Sequence, residues 1–211
     1  MLAILSPRAS FRAWRVPAAN ITGFSAIGDF SVATKILDLL KKLAPTVERV
    51  AFMYDPSLPV TGAAWAVVET AAPALAVHAT KMPVRTADDI ERAIVAFARE
   101  PNGGLQVGPG YPNYRHRELI ARLAMQYRLP SMFGYRSYAE GGGLASYGPD
   151  PLDISRGAAS YVDRILKGEK PRDLPVQLPV RYQFVVNLKT AKAIGLDISP
   201  NVLAITDEVI E

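Results

Sequence analysis

The sequence predicts an α/β fold built on a Rossmann-like parallel sheet with helices on both faces. Three observations carry this. Short apolar runs alternate with amphipathic segments of helical period along most of the chain. The runs are continuously apolar, as strands buried on both faces require. Three of them stop at turn-forming Asp-Pro, Gly-Pro-Gly or Gly-Pro-Asp sequences.

Residues 1 to 19 scatter Arg8, Arg12 and Arg15 among small and aromatic residues without a period, and read as an irregular leader. Val32, Ile36, Leu39, Leu40 and Leu43 have helical spacing, so a helix is expected over Ser31 to Leu43, ended by Pro45. Arg49 to Tyr54 reads as a buried strand turning at Asp55-Pro56. A helix over Ala63 to Leu75 and a strand over Val77 to Pro83 follow. Thr86-Ala87-Asp88-Asp89 has the form of a capping box with Asp in the Glu place, opening a helix with Ile90, Ile94 and Phe97 inward. Gly103-Gly104 leads into the strand Leu105 to Val107, ended by Gly108-Pro109-Gly110. Next come a helix over Tyr114 to Arg128, strands over Ser131 to Tyr135 and Leu144 to Tyr147, and a helix over Pro151 to Leu166. Gly168 to Pro179 is the one linker-like stretch. A strand over Tyr182 to Val186, a helix over Thr190 to Ile194 capped by Gly195, and one more helical turn before Glu211 complete the reading.

Composition removes several function classes. The chain has 24 basic and 20 acidic residues, a net charge of only +4, which does not resemble a nucleic-acid binder. Arg115, His116, Arg117, Arg122 and Arg128 cluster, but interleaved with Leu119, Ile120 and Leu123 they read as a solvated helix face. There is no cysteine, so disulfides, thiolate nucleophiles and Cys-based metal sites are out. Met1 to Leu5 is too short for a signal-peptide core, and no stretch approaches the ~20 apolar residues of a membrane span. Gly108-Pro109-Gly110 is followed by Asn113 where a dinucleotide fingerprint needs a third glycine. His78 and His116 have no nucleophile or orienting carboxylate beside them in sequence, so no catalytic set can be assembled and no cofactor or metal is expected.

The distinctive residues gather at predicted strand ends. In open parallel sheets ligands bind beyond the carboxyl ends of the strands. Asp55, Tyr111, Tyr135, Arg136 and Asp150 all lie at such ends, and they are the expected ligand-binding residues. Rings would flank an apolar or planar solute, while Arg and Asp would fix its charged ends. Each loop taken alone also reads as ordinary turn chemistry, and the two readings stand side by side.

Several stretches resemble a known family. They are Asn20 to Ser25, Arg49 to Pro56, Glu100 to Leu105, Gly142 to Asp150, Ala158 to Pro171, Asp173 to Gln177 and Val186 to Leu196, with Ala204 to Glu211 closing the chain. Together they resemble the substrate-binding proteins of ABC importers with the type I periplasmic-binding-protein fold, over residues 20 to 211. The resemblance implies two Rossmann-like lobes joined by three crossings. It also implies a non-enzymatic clamp for a small organic solute and an ABC permease as partner; better-understood members take up aromatic amino acids. It divides the chain into a leader (1–19), a complete lobe two (20–147), a segment of a partial first lobe (148–180) and a returning strand and helix (181–211). The family places a signal peptide and about half of lobe one before the Asn20 segment. The chain as written is therefore expected to be truncated, impaired in binding and cytoplasmic, where the full-length family is periplasmic. Its exposed lobe-one side would be open to a second copy, giving a homodimer. The alternative is the ligand-sensing domain of a regulator of the same fold.

Overall fold

The computed structural model describes residues 20–26 and 30–211; the leader expected over residues 1–19 lies outside the described residues. The chain divides into two compact units. The larger comprises Phe30–Gly148 and Gln183–Glu211; the smaller includes the described residues 20–26 and Pro149–Tyr182.

Helix α1 (Ser31–Leu43) buries Ile36, Leu37, Leu39, Leu40 and Leu43 on one stripe. Lys41 folds back at its carboxyl end to donate to the carbonyls of Pro45 (2.8 Å) and Val47 (2.6 Å), where positive charge suits the dipole. β1 (Arg49–Tyr54) follows. α2 (Pro59–Ala71) starts ahead of the predicted Ala63, because Pro59 supplies a preset first helical residue. A 3-10 turn, Ala72–Leu75, leads to β2 (His78–Pro83). α3 (Ala87–Phe97) opens on the predicted capping box: Thr86 Oγ1 accepts from the Asp89 N–H, and Asp89 Oδ2 from the Thr86 N–H, both at 3.1 Å.

After β3 (Gly103–Val107) the single predicted helix is two, α4 (Tyr111–Arg115) and α5 (Arg117–Gln126), parted at His116. Arg128 falls outside α5, since its left-handed φ of 53° lets the Leu129 N–H cap the Ala124 carbonyl. β4 (Ser131–Phe133) stops short of the predicted Tyr135, which instead precedes an unpredicted helix, α6 (Arg136–Glu140). Then come β5 (Ala145–Pro149), α7 (Pro151–Leu166), β6 (Tyr182–Asn187), α8 (Leu188–Ile194), α9 (Pro200–Leu203) and β7 (Glu208–Ile210). The final strand replaces part of a tail read as helical.

The sheet order is β2-β1-β3-β4-β5-β6-β7. β1 to β5 pair in parallel, and so do β6 and β7 with each other. Between β5 and β6 the direction reverses. Asn187 N–H donates to Leu144 O (2.8 Å) and Asp150 N–H to Arg181 O (3.0 Å), so residue numbers rise on one strand as they fall on the other. The all-parallel expectation is thus corrected to a mixed sheet. The chain leaves the larger unit along β5 and returns along β6, so the return strand must run the other way. Side chains alternate as strand geometry demands. Val50 and Phe52 pack with Leu37 and Leu40 of α1, while Ala51 and Met53 pack with Ile90 and Ile94 of α3 and Ile120 of α5.

In the smaller unit, α7 begins at Asp150, whose side chain accepts from the Leu152 N–H at 2.8 Å. Tyr161 is its buried hub. The Tyr161 hydroxyl donates to Pro175 O (2.8 Å) and accepts from Gln177 Nε2 (3.0 Å), and the Phe24 ring meets its face edge-on at 4.8 Å. Phe24 also forms a parallel bridge with Gln177. Gly157 has no side chain because a Cβ there would stand 2.3 Å from the Phe24 ring. These contacts hold residues 20–26 in the smaller unit, whereas the sequence reading assigned them to lobe two. Tyr161→Phe is expected to cost about 1 kcal/mol by removing two hydrogen bonds. Amide exchange should show it as faster exchange at Gln177, whose N–H donates to Gly23 O; unchanged protection there would contradict this hub role.

Candidate functional site

Because β1 to β5 are parallel, their carboxyl ends share one edge of the sheet. The order β2-β1-β3 puts the topological switch between β1 and β3, where connections leave to opposite faces of the sheet. Asp55 follows β1 at that point. It is 5% exposed. Its Oδ1 accepts from the Ser57 N–H (2.9 Å) and the Ser57 hydroxyl (2.6 Å).

Opposite stands the Gly108-Pro109-Gly110 loop. A Cβ on Gly108 would lie 2.9 Å from the Phe52 ring and 3.1 Å from Met53 O. Gly110 has φ +153°, and a Cβ there would lie 2.7 Å from Asp55 Cβ. Glycine is therefore required for the β3 loop to come this close to Asp55. It brings the Gly110 backbone against Asp55, and the next residue, Tyr111, is 68% exposed.

Asn113 ties the two strand ends together. It is fully buried, and its Nδ2 donates to Gly108 O at 2.9 Å, with Met53 O at 3.5 Å. In the sequence Asn113 counted only as a missing glycine. The signal that could have found it was an amide side chain just inside a helix that follows a Gly-Pro-Gly turn.

Tyr135 and Arg136 occupy the end of β4 on the same edge. The Tyr135 ring packs on the core formed with Ile90, Ile94 and Ile120, and burial raises its hydroxyl pKa. Tyr138 is stacked on Phe133 (4.7 Å) with Tyr114 edge-on at 6.2 Å, and burial likewise raises its pKa. Arg136 is already neutralised: its guanidinium pairs with Glu140 and Glu208, with Nε to Glu208 Oε2 at 3.0 Å. Asp150 lies in the smaller unit, its carboxylate engaged in capping α7. The structure thus brings Asp55 against Gly110, the residue before Tyr111, places Tyr135 and Arg136 farther along the same edge, and finds Asp150 in the other unit.

The Arg136 hydrogen bond holds the Glu208 pKa below its ordinary value near 4.5. A carboxylate with a depressed folded pKa contributes stability above its unfolded pKa and loses it as pH falls through the folded value. Glu208→Gln is expected to lower stability at pH 7 by less than about 1 kcal/mol, since the pair is partly exposed. Denaturant midpoints measured from pH 7 downward should converge once the pH is below the folded pKa of Glu208. A deficit that persists in acid would contradict the ion-pair account.

The sequence profile of ABC transporter substrate binding proteins matches residues 9–210. The chain belongs to that family. The match reaches back into the leader that the sequence reading left outside the resemblance. Solved structures agree with the family at the level of fold. A Streptococcus pneumoniae ABC domain in complex with L-Trp superposes with a TM-score of 0.81 at 22% identity, covering 93% of this chain and 67% of that one. A conserved domain protein of Vibrio cholerae gives 0.79 at 23% identity, covering 92% and 66%. A ligand-free, open substrate-binding protein with adhesive properties from Clostridium difficile gives 0.68 at 19%, covering 98% and 68%. The chain thus spans about two thirds of the length of these structures. No curated protein matches it. The fold is shared with these structures, and the family is that of ABC transporter substrate binding proteins.

Proposed function

We propose that this chain captures a small organic solute, an amino acid or an aromatic compound, for an ABC permease, acting outside the inner membrane as the family does. The observation that carries this reading is the β1–β3 switch point, the place where ligands bind in open parallel sheets. There a buried carboxylate faces a loop whose glycines leave no room for side chains. Asp55 supplies the polar anchor and the exposed Tyr111 ring planar apolar surface, with Tyr135 farther along the same edge. Arg136 and Asp150 act on the scaffold, one tying α6 to β7 and the other starting α7. The L-Trp complex among similar folds supports an aromatic amino acid as the first solute to try. Regulators share the fold at TM-scores of 0.51 to 0.56 and 12 to 14% identity, but the family profile matching residues 9–210 is one of transporter substrate-binding proteins and favours transport.

Titration calorimetry of the purified chain with amino acids, aromatic acids and sugars tests the proposal. Saturable one-to-one binding of one solute class is the expected result. Heats indistinguishable from dilution for every solute would refute it.

A further inference from the structure

We infer that the outward face of α4 and α5 docks on an anionic lipid bilayer, with its arginines on the phosphodiester headgroups and Tyr114 and Met125 in the interfacial layer. Solute capture is not assumed. Residues 114–128 hold four arginines and one glutamate, so this short segment carries +3 of the whole chain's net charge of +4. The two helices act as one rod. The His116 N–H donates to Pro112 O and the Ile120 N–H to His116 O, both at 3.0 Å, so the helical ladder continues across the break. Ile120, Leu123 and Ala124 are buried on the core side. Tyr114, Arg115, Glu118, Arg122 and Met125 are all exposed and recur at helical spacing. They form a stripe about 18 Å long at 1.5 Å per residue. Arg128 is exposed just beyond it.

The positive charge of this face is not spent within the fold. Among the described residues Arg115, Arg122 and Arg128 enter none of the ion pairs. Arg115 reaches only the Tyr111 hydroxyl, at 3.5 Å. The one carboxylate of the face, Glu118, is met by Arg117 at 3.4 Å, which leaves the other three arginines uncompensated. Solvated helix faces elsewhere in the chain are built differently: Asp38 with Lys35 and Lys42 on α1, and Asp163 with Lys167 on α7, pair opposite charges one turn apart. The arginine fork matches phosphate oxygens. The Tyr114 residue is 48% exposed and Met125 39%. A tyrosine has an apolar body and a polar tip, which suits the headgroup boundary, and basic residues beside such groups draw a helix face to anionic lipid. A nucleic acid offers the same phosphodiesters but no apolar layer for Met125.

Co-sedimentation of the full chain with vesicles tests this, using phosphatidylcholine alone and phosphatidylcholine mixed equally with phosphatidylglycerol. The protein is expected to sediment with the anionic vesicles only, and to be released as salt rises. Each of Arg115→Gln, Arg122→Gln and Arg128→Gln should weaken partitioning roughly 5-fold, and the three together roughly 100-fold. A control removes the same charge from exposed residues elsewhere: Arg85→Gln, Arg156→Gln and Lys192→Gln in one chain. It should keep most of the binding, and thermal melts check that both triple variants are folded. Equal sedimentation with neutral vesicles, no sedimentation with either, or equal losses in the two triple variants overturns the inference. So does a duplex oligonucleotide that displaces the protein from anionic vesicles at equal phosphate concentration, since the face would then prefer nucleic acid. None of these outcomes bears on solute capture.

Discussion

Replacing Asn113 with aspartate is expected to destabilise the larger unit by about 4 kcal/mol at neutral pH, a value typical of an uncompensated buried charge. Asn113 is fully buried and its Nδ2 donates to Gly108 O at 2.9 Å, near Met53 O. A carboxylate at that position would direct negative charge at carbonyl oxygens and leave Gly108 O without its donor. Protonation restores one donor, so the deficit should shrink as pH falls. Asn113→Ala, which loses the hydrogen bond and leaves a small void, should cost less, about 2 kcal/mol. Urea unfolding of the three proteins at pH 7 and pH 5 checks the order. Aspartate tolerated as well as alanine would mean that this amide does not tie β1 to β3.

The second large effect is expected at Gly148→Ala. A Cβ on Gly148 would stand 1.8 Å from Gly134 O and 2.8 Å from Gly134 C. Both are backbone atoms, so no rotamer change relieves the clash, and β4 and β5 must separate where they carry Tyr135. Overpacking against side chains typically costs 1–3 kcal/mol; against backbone the loss is expected at the upper end, about 3 kcal/mol. A variant that melts within a degree of the wild type would contradict the close β4–β5 approach.

Much of this architecture was legible in the sequence because local and tertiary preferences agree. The capping box at Thr86 and Asp89, the stripe of α1 and the buried run Arg49 to Tyr54 each satisfy both periodicity and end signals. The misreadings share a cause: the deciding contact was remote or conformational. The return of β6 against β5 depends on where the chain leaves and re-enters the larger unit, which no window of residues records. The break at His116 and the left-handed Arg128 lie inside an uninterrupted amphipathic pattern. Residues 20–26 join the smaller unit through Phe24 on Tyr161 and Gln177, more than a hundred positions away.

The site shows the same division. Asp55 and the glycines opposite it were readable, because strand-end position and turn chemistry mark them. Arg136 was read as free to hold a solute charge, since nothing in the sequence shows Glu208 arriving from the last strand. Asn113 was passed over because its partners are backbone carbonyls of two different strand ends.

A solute is expected to bind at the carboxyl edge of the sheet, at the β1–β3 switch. Backbone amide NMR of the labelled chain, with and without the solute that calorimetry identifies, tests this directly. The largest shift changes are predicted at Asp55, Ser57, Gly108, Gly110 and Tyr111. Changes concentrated instead at the opposite edge, around Arg49, Gly103 and Ser131, would contradict it.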